Sequence, residues 1–521
     1  MLFKNFSLVT VSALLYTLAL PNELFNWGNP LLGFISLVPF LYTLYRAKTI
    51  KGAVYAGMYF AFLSTGTIYF WLLFFQDFSL WTLSGVIVAH ILFFIFLAPF
   101  LQASGKYPPF LRPFITAGVW VVYEYFKSTG YLALPWGLLA HTSGTFFPFI
   151  QISDIFGQWG VSFLVALVNT LILEIILAWK RVPAGVFLFT GILLSSSLIY
   201  GAVMLHRKIP VTAVFDAVLV QQDADSWVTG NEMESIRTGQ ILTRRALKGP
   251  GTKPDLVVWS ENAFRYPYTE GSLRYRRNPK NDPFVSFLRE IDTPILVGSP
   301  YILDQKTYSA LNAVLLVDPR GKILTYYGKT HPVPFAENIP FWHVPFVQSF
   351  FRSVLGLESE GWATGTPNII FSIKNKKGTE IRFGSPICFE DSFPAIARNF
   401  FLHGADLLIN LSNDSWSKTI SGETQHYVAA EFRAVENRRT LVRSTNAGVT
   451  AVVDPWGRAH NLLPLFISTA ENVTVPVYST RRLTFYTRFG DWFPVILLML
   501  LVTGHLYRLK RNMLPLLSHS L

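Results

Sequence analysis

A series of long apolar runs in the first 205 residues constrains this chain more than any other feature. A helix needs about 20 apolar residues to cross a bilayer. Runs that approach this length lie near 6–20, 31–45, 52–75, 82–102, 113–126, 161–179, 184–204 and 489–507. Charged residues make up only 15% of the chain, against about 25% in soluble domains. The sequence therefore indicates a membrane protein with eight transmembrane α-helices.

Lysine and arginine fall in alternate loops and so predict the orientation of these spans. The short loops 21–30 and 76–80 carry neither residue, whereas loops that stay in the cytoplasm are enriched in both. We therefore expect both termini in the cytoplasm and an extramembrane segment on the outer side. The basic positions are Lys4, Arg46, Lys48, Lys51, Lys106, Arg112, Lys180, Arg181, Arg508, Lys510 and Arg511.

The predicted organisation has three parts. Residues 1–205 form a domain of seven transmembrane helices, 206–484 form the extramembrane domain, and 485–521 hold the last helix and a cytoplasmic tail. The net charge of +12 could suit nucleic-acid binding, but many basic residues lie in short loops beside apolar runs. The sequence has no nucleic-acid-binding module and no phosphate loop, so no nucleic acid is expected as a partner.

Short β-like runs alternate with helical stretches in the extramembrane domain. This alternation predicts a layered α/β fold. The predicted strands lie near 213–222, 255–262, 294–303, 381–387, 405–414 and 440–458, and the predicted helices near 229–247, 282–291, 392–403 and 421–438.

The chain has a single cysteine, Cys388, between the predicted strand 381–387 and a predicted helix. It has no partner for an internal disulfide, so it is either a small buried apolar residue or a reactive group. A helix N-terminus lowers the pKa of a thiol from about 8.5 toward neutrality. Glu261 lies at the end of the predicted strand 255–262, and Lys329 lies just after another predicted strand. Strand ends on one edge of a sheet bring distant residues together.

Glutamate, lysine and cysteine in this order at strand ends resemble the nitrilase superfamily. The motifs WSENAF (259–264), YGKTHPVPFAE (327–337), GSPICFE (384–390), LSNDSW (411–416) and RSTNAGVTAVVDPWG (443–457) resemble the apolipoprotein N-acyltransferase family within it. The resemblance implies an αββα sandwich in a bacterial inner membrane protein, with the catalytic domain in the periplasm. It also implies transfer of an acyl chain from a phospholipid to the α-amino group of a lipoprotein's diacylglyceryl-cysteine.

The resemblance assigns a role to each motif residue. Cys388 would be the nucleophile that carries the acyl chain as a thioester, Glu261 the general base, and Lys329 the group that stabilises the oxyanion. Glu337 and Glu390 would support them. No cofactor is implied. No metal is expected, because the sequence lacks HExxH or paired-cysteine spacing, and His331 and His426 are interpreted as packing or hydrogen-bonding residues.

The aromatic stretch 339–357 has two interpretations. It either packs in the core or forms a lid that enters lipid, as a substrate with two acyl chains would need. Trp342, Phe346 and Trp416 are the substrate-contacting candidates. The sequence departs from the family pattern near the substrate positions, which leaves the acyl donor and acceptor preference open. The departures are Gln222, Asp223, Ala336, Phe389, Ser417 and Lys418.

Two other functions use the same features. A membrane-tethered amidase or nitrilase would have the same triad, with water attacking the thioester. A transporter with eight spans and an inactive nitrilase-like domain would need charged residues along a substrate path, and would not need the triad. Eight spans favour a lipid substrate over the amidase, because one span is enough for an anchor.

We predict that a reporter fused after residue 300 will be active on the outer side of the inner membrane. The alternation of lysine and arginine places 206–484 there. The measurement is the activity, in intact cells, of a reporter that works only outside the cytoplasm. A fusion that stays in the cytoplasm would contradict the predicted span count and, with it, the lipid substrate.

Overall fold

The computed structural model describes residues 2–75, 79–178, 182–228, 230–249, 253–306, 309–357, 359–478 and 482–517. Lys180 and Arg181, two of the basic positions that predict the orientation, lie outside these residues. The chain forms two compact units. The first comprises Met1–Phe70, Leu83–Arg207 and Arg488–Leu521, and the second comprises Trp71–Thr82 and Lys208–Thr487.

The first unit is helical. Its principal helices begin and end close to the predicted spans, although several are short. The α-helices between residues 2 and 206 are Leu2–Ala19, Pro30–Gly33, Val38–Arg46, Ile50–Ile68, Ser79–Ser104, Arg112–Lys127, Phe147–Ile150, Ser153–Phe156, Gln158–Ala178 and Ala184–His206, and the last helix of the chain is Trp492–Leu517.

Three described helices are long and apolar enough to cross a membrane: Ser79–Ser104, Gln158–Leu177 and Ala184–His206. They correspond to the predicted spans 82–102, 161–179 and 184–204. The other apolar helical segments found are shorter, namely Phe6–Ala19, Pro30–Arg46, Phe147–Phe156 and Trp492–Arg508. The structure thus supports three of the eight predicted spans by length and composition, and the other five stay predictions.

Proline explains why the predicted span 31–45 is divided. The structure has a short helix at Pro30–Gly33 and a second at Val38–Arg46, and Pro39 lies in the first turn of the second helix. Proline fits the first turn of a helix but breaks its interior, because it lacks the N–H that the helix needs.

The second unit contains two six-stranded sheets, with the strand orders β12-β1-β2-β3-β4-β5 and β11-β10-β9-β8-β7-β6. Strands β1, β2 and β3 run parallel in the first sheet, as do β7, β8 and β9 in the second. The strands are β1 (Val211–Gln221), β2 (Leu256–Val258), β3 (Ile295–Asp304), β4 (Ser309–Val317), β5 (Ile323–Gly328), β6 (Phe371–Lys374), β7 (Glu380–Gly384), β8 (Leu407–Ser412), β9 (Leu441–Thr445), β10 (Ala451–Val453), β11 (Ala459–His460) and β12 (Thr469–Tyr478).

Helices cover the outer faces of both sheets, and the inner faces meet. Ser444 in β9 donates a hydrogen bond to the backbone oxygen of Val258 in β2, at 3.1 Å. This order of layers is the αββα sandwich that the family resemblance implies. The α-helices of this unit are Glu234–Lys248, Leu273–Arg277, Phe284–Ile291, Pro345–Leu355, Pro394–Leu402 and Ile420–Asn437, and Phe485–Phe489 follows at its boundary.

The segment around Cys388 differs from the prediction. Strand β7 ends at Gly384, a 3₁₀ turn covers Cys388–Ser392, and the helix begins only at Pro394. Pro386 has no N–H to donate to a strand ladder, and Pro394 is suited to the first turn of a helix. The two prolines therefore place Cys388 in a separate turn between strand and helix.

Candidate active site

Three of the predicted site residues follow the ends of strands in the second unit. Glu261 follows β2, Lys329 follows β5 and Cys388 follows β7. All three are buried, with exposed fractions of 3%, 1% and 9%. Because β2 and β5 belong to one sheet and β7 to the facing sheet, the sandwich brings these distant residues into one cluster.

The ammonium group of Lys329 lies between two carboxylates. Its Nζ is 3.5 Å from Oε1 of Glu261 and 2.7 Å from Oε2 of Glu337. The Nδ2 atom of Asn312, in β4, donates to Oε1 of Glu261 at 2.7 Å and to Oε1 of Glu337 at 2.9 Å. A buried cation is stable only when it is paired in this way.

The charged groups of this cluster shift one another's pKa values. Burial raises the pKa of Glu261, although the Lys329 cation opposes that rise. Burial alone would lower the pKa of Lys329, but Glu337 and Glu261 outweigh it and raise the pKa above its ordinary value. Lys329 therefore stays a cation, while Glu261 is more basic than an exposed glutamate, as a general base should be.

Cys388 has an unusual backbone conformation, with φ at +48°. A residue other than glycine in this region is strained by about 1–3 kcal/mol, and such residues cluster at functional sites. Burial raises the pKa of the thiol, and so does the Glu261 carboxylate, while Lys329 lowers it. The expected lowering of the thiol pKa by a helix terminus is therefore wrong, because the turn is short and the sulfur is buried.

Glu390 holds the cysteine turn against the loop that follows Lys329. Its carboxylate accepts hydrogen bonds from the backbone N–H of Thr330 (2.7 Å), His331 (3.1 Å) and Ile387 (2.8 Å). The hydroxyl of Tyr327 donates to it at 3.0 Å. Glu390 therefore acts on the backbone beside Lys329 and Cys388, whereas Glu337 contacts the Lys329 side chain itself.

A buried ionic cluster that was not predicted from the sequence lies next to Cys388. Oδ1 of Asp414 is 3.8 Å from the cysteine sulfur. His426 is 2.9 Å from Oδ1 of Asp414 through Nδ1 and 2.8 Å from Oδ1 of Asp391 through Nε2. Arg443 approaches Asp391 at 3.3 Å and Asp414 at 3.7 Å. Asp414 follows β8 just as Glu261 follows β2, so the same strand-end argument could have identified it.

Part of this cluster has the donor atoms that a metal ion could use. Cys388, Asp414 and His426 each offer a ligand atom, and these atoms lie within 4.8 Å of one another. Both ring nitrogens of His426 already contact carboxylates, however. Burial alone would lower the pKa of His426, but Asp414 and Asp391 outweigh it and raise the pKa to about 9. An imidazolium has no free lone pair for a metal, so the cluster is better described as a network of ion pairs.

The three substrate-contacting candidates, Trp342, Phe346 and Trp416, make none of the contacts described above for the cluster around Cys388. Phe346 is 78% exposed, on the helix Pro345–Leu355. Trp342 is half-buried, and the Arg352 guanidinium lies 5.6 Å from its ring centre. Trp416 is also half-buried and packs against Trp71 and Phe75. Other large apolar residues that are exposed in the described part of this stretch are Phe341, Val344, Phe350 and Val354.

Three of the six departures from the family pattern have local side-chain partners. The Gln222 side chain accepts a hydrogen bond from the N–H of Ser260 at 3.4 Å, and Ser417 donates one to Glu423 at 2.7 Å. Phe389 packs edge-on against Phe393. Asp223 and Lys418 both have positive φ, at +48° and +52°, and nothing in the structure explains Ala336.

We predict that Glu390→Gln will destabilise the fold by about 2–4 kcal/mol. The side-chain NH₂ of the introduced glutamine would face the backbone N–H of Ile387 or Thr330. Two donors cannot hydrogen-bond each other, so buried donors would be left without an acceptor. Thermal unfolding measures the loss. Glu380→Gln is the matched control, because Glu380 is exposed and bonds only the Ser372 hydroxyl among the described residues. Equal melting temperatures of the two variants would contradict this role of Glu390.

Two family models match the chain. Residues 12–171 match the apolipoprotein N-acyltransferase N-terminal domain, and residues 219–469 match the carbon-nitrogen hydrolase model. The second match covers both sheets from the end of β1 to the start of β12 and contains the whole cluster around Cys388, so the nitrilase-like fold class is confirmed.

Full-length relatives agree with these models. Apolipoprotein N-acyltransferase 2 of Treponema denticola is 41% identical, over 96% of this chain and 97% of the relative. Apolipoprotein N-acyltransferase 2 of Treponema pallidum is 38% identical, over 93% and 91%. Apolipoprotein N-acyltransferase of Borreliella burgdorferi is 33% identical, over 99% and 98%. The chain therefore belongs to the apolipoprotein N-acyltransferase family, and it is an enzyme.

Proposed function

We propose that the protein transfers an acyl chain from a membrane phospholipid to the α-amino group of the diacylglyceryl-cysteine of a lipoprotein. The observation that carries this proposal is the buried cluster of Glu261, Lys329 and Cys388, which has the parts that acyl transfer through a thioester needs. In the main alternative, an amidase, water attacks the thioester in place of the amine. The full-length similarity to named acyltransferases favours an amine as the attacking group.

Cys388 is the nucleophile in this proposal. Its S–H bond breaks, the proton passes to Glu261, and the sulfur attacks the ester carbonyl of the phospholipid. When the tetrahedral intermediate collapses, the glycerol oxygen leaves with a proton from Glu261 and the acyl chain stays on the sulfur. The amine of the lipoprotein then attacks the thioester carbonyl and loses a proton to Glu261. When this intermediate collapses, the C–S bond breaks, the acyl chain stays on the amine, and the sulfur regains a proton from Glu261.

Lys329 stabilises the negative oxygen of both tetrahedral intermediates. Its ammonium is held in place by Glu337 at 2.7 Å and by Glu261 at 3.5 Å, so it need not reorganise when charge develops on the substrate. Glu337 is a positioning residue for Lys329, and Glu390 is one for the cysteine turn. No cofactor takes part.

The membrane arrangement supports a lipid substrate. We propose eight spans, seven in a domain at 1–205 and one in a segment at 485–521, with both termini in the cytoplasm. The catalytic domain, 206–484, lies in the periplasm of a bacterium with an inner membrane. The three long apolar helices support the membrane assignment, and the alternation of lysine and arginine supports the orientation.

Trp342 and Phe346 are proposed to contact the acyl chains of the substrates. The stretch around them exposes large apolar side chains, with Phe341 60% and Phe346 78% accessible. Exposed apolar surface of this kind marks a site for lipid or for another apolar partner. Trp416, which packs on Trp71, extends the proposed substrate surface.

We predict that the wild-type protein, incubated with phospholipid alone, will carry one acyl group that hydroxylamine releases. Cys388→Ser should fold but carry none, because a hydroxyl is much less acidic than a thiol. Lys329→Ala should lose about 10²–10³ in rate, and Glu261→Gln should fail to remove the thiol proton. Because burial raises the pKa of Glu261, acylation should fall as the pH drops through that raised value.

Mass spectrometry of the intact protein measures this reaction. An acyl group on the Cys388→Ser protein, or full activity without the thiol, would make Cys388 a core residue and refute the mechanism.

We predict that Trp342→Ala and Phe346→Ala will slow phospholipid-dependent acylation and leave the melting temperature nearly unchanged. Both residues lie on an exposed stretch, so truncation removes lipid contact and little packing. Leu273→Ala is the matched control, because Leu273 is also exposed (61%) but lies outside this stretch. A large loss of thermal stability with unchanged acylation would show that the stretch belongs to the core.

A further inference from the structure

The Cys388 sulfur has an acidic neighbour that the proposed mechanism does not use. Oδ1 of Asp414 lies 3.8 Å from Sγ, and the Asp414 side chain is 4% exposed. Among the described residues, this carboxylate is the group that accepts a hydrogen bond from the thiol. A thiol is a weak donor, and a carboxylate is the strongest acceptor it can find in a protein interior.

Several donors hold Asp414 in its charged form. The hydroxyl of Ser412 donates to Oδ1 at 2.9 Å, and Nδ1 of His426 lies 2.9 Å from Oδ1. Nη2 of Arg443 lies 3.7 Å from Oδ2. Burial alone would raise the pKa of Asp414, but His426 and Arg443 outweigh it and lower the pKa.

The charges around the sulfur are mixed in sign. Around Asp414, the two cations of His426 and Arg443 balance the two carboxylates of Asp414 and Asp391, so the ionic cluster is nearly neutral as a whole. A thiolate in the resting protein would nevertheless lie against the carboxylate of Asp414. The groups that act on the thiol are Glu261, Lys329, Asp414 and Glu337, and those that act on Asp414 include His426, Arg443 and Glu423.

We propose that Asp414 is a positioning residue that accepts the hydrogen bond of the resting Cys388 thiol and keeps the thiol protonated until an ester carbonyl reaches the site. The hydrogen bond to Asp414 then breaks, the S–H proton passes from the sulfur to Glu261, and the S–H electron pair forms the bond to the carbonyl carbon. The carbonyl oxygen takes the negative charge beside Lys329. This inference rests on the proposed nucleophilic role of Cys388. It implies that the thiol is unreactive between turnovers.

The wild-type protein allows a direct test. Because the chain has a single cysteine, its infrared spectrum contains one S–H stretching band, and Cys388→Ala provides the blank. A hydrogen bond to a carboxylate shifts this band to lower frequency than in a free thiol. A band at the free-thiol position would overturn the proposal, and this test does not depend on the folding of any Asp414 variant.

Alkylation by iodoacetamide tests the protonation directly. Asp414→Asn should lower the thiol pKa and speed alkylation at pH 7 about tenfold, because it removes a negative charge next to the sulfur. Asp391→Asn is the matched control. It removes a carboxylate from the same cluster, equally in contact with His426 and Arg443, but one that makes no recorded contact with the sulfur.

The expected result is a much smaller shift in Asp391→Asn than in Asp414→Asn. Equal shifts, or unchanged alkylation in Asp414→Asn, would mean that the cluster is only structural. Acyl transfer by the Cys388→Ser variant would instead refute the proposed role of Cys388 as the nucleophile. Because alkylation does not depend on acyl transfer, a failure of the proposed Asp414 role can be told apart from a failure of the proposed Cys388 role.

Discussion

The ion pairing of the buried Lys329 ammonium is the interaction on which the rest of the site depends. The cation lies 2.7 Å from Glu337 and 3.5 Å from Glu261, and Asn312 joins the two carboxylates. Removal of one partner from a buried ion pair typically costs about 3–5 kcal/mol, because the other charge is left uncompensated. This pairing therefore orients the base and the oxyanion group together and fixes the loops that follow β2 and β5.

A second network meets the first at the cysteine sulfur. His426 and Arg443 balance Asp391 and Asp414 beneath the cysteine turn, while Glu390 ties that turn to the loop after Lys329. In the proposed mechanism the sulfur gives its proton to the Glu261 carboxylate during reaction, and at rest its S–H donates to Asp414, 3.8 Å away. Burial keeps solvent from competing for either contact, so the arrangement favours a thiol that ionises only when a substrate is bound.

The sequence predicts the strand-end positions of the site because each one follows a short apolar run. Glu261, Lys329 and Cys388 could be located in this way, and Asp414 could have been. Asn312 could not, since it lies within β4 and reaches the site only through the register of the sheet. The pKa of the Cys388 thiol was mispredicted because burial depends on tertiary packing. Pro39, Pro386 and Pro394 also move element ends in ways that apolar runs alone do not predict.

A single-turnover chase tests the central claim, that Cys388 carries an acyl chain destined for an amine. The acyl-enzyme would be formed from phospholipid with a labelled acyl chain, freed of excess donor, and mixed with a diacylated lipopeptide. We predict that the label leaves the protein faster when lipopeptide is present and is recovered as an amide on the α-amino group of the lipopeptide. Recovery of the label as free fatty acid, at a rate that the lipopeptide does not change, would show that the acyl chain passes to water and that the protein is a hydrolase.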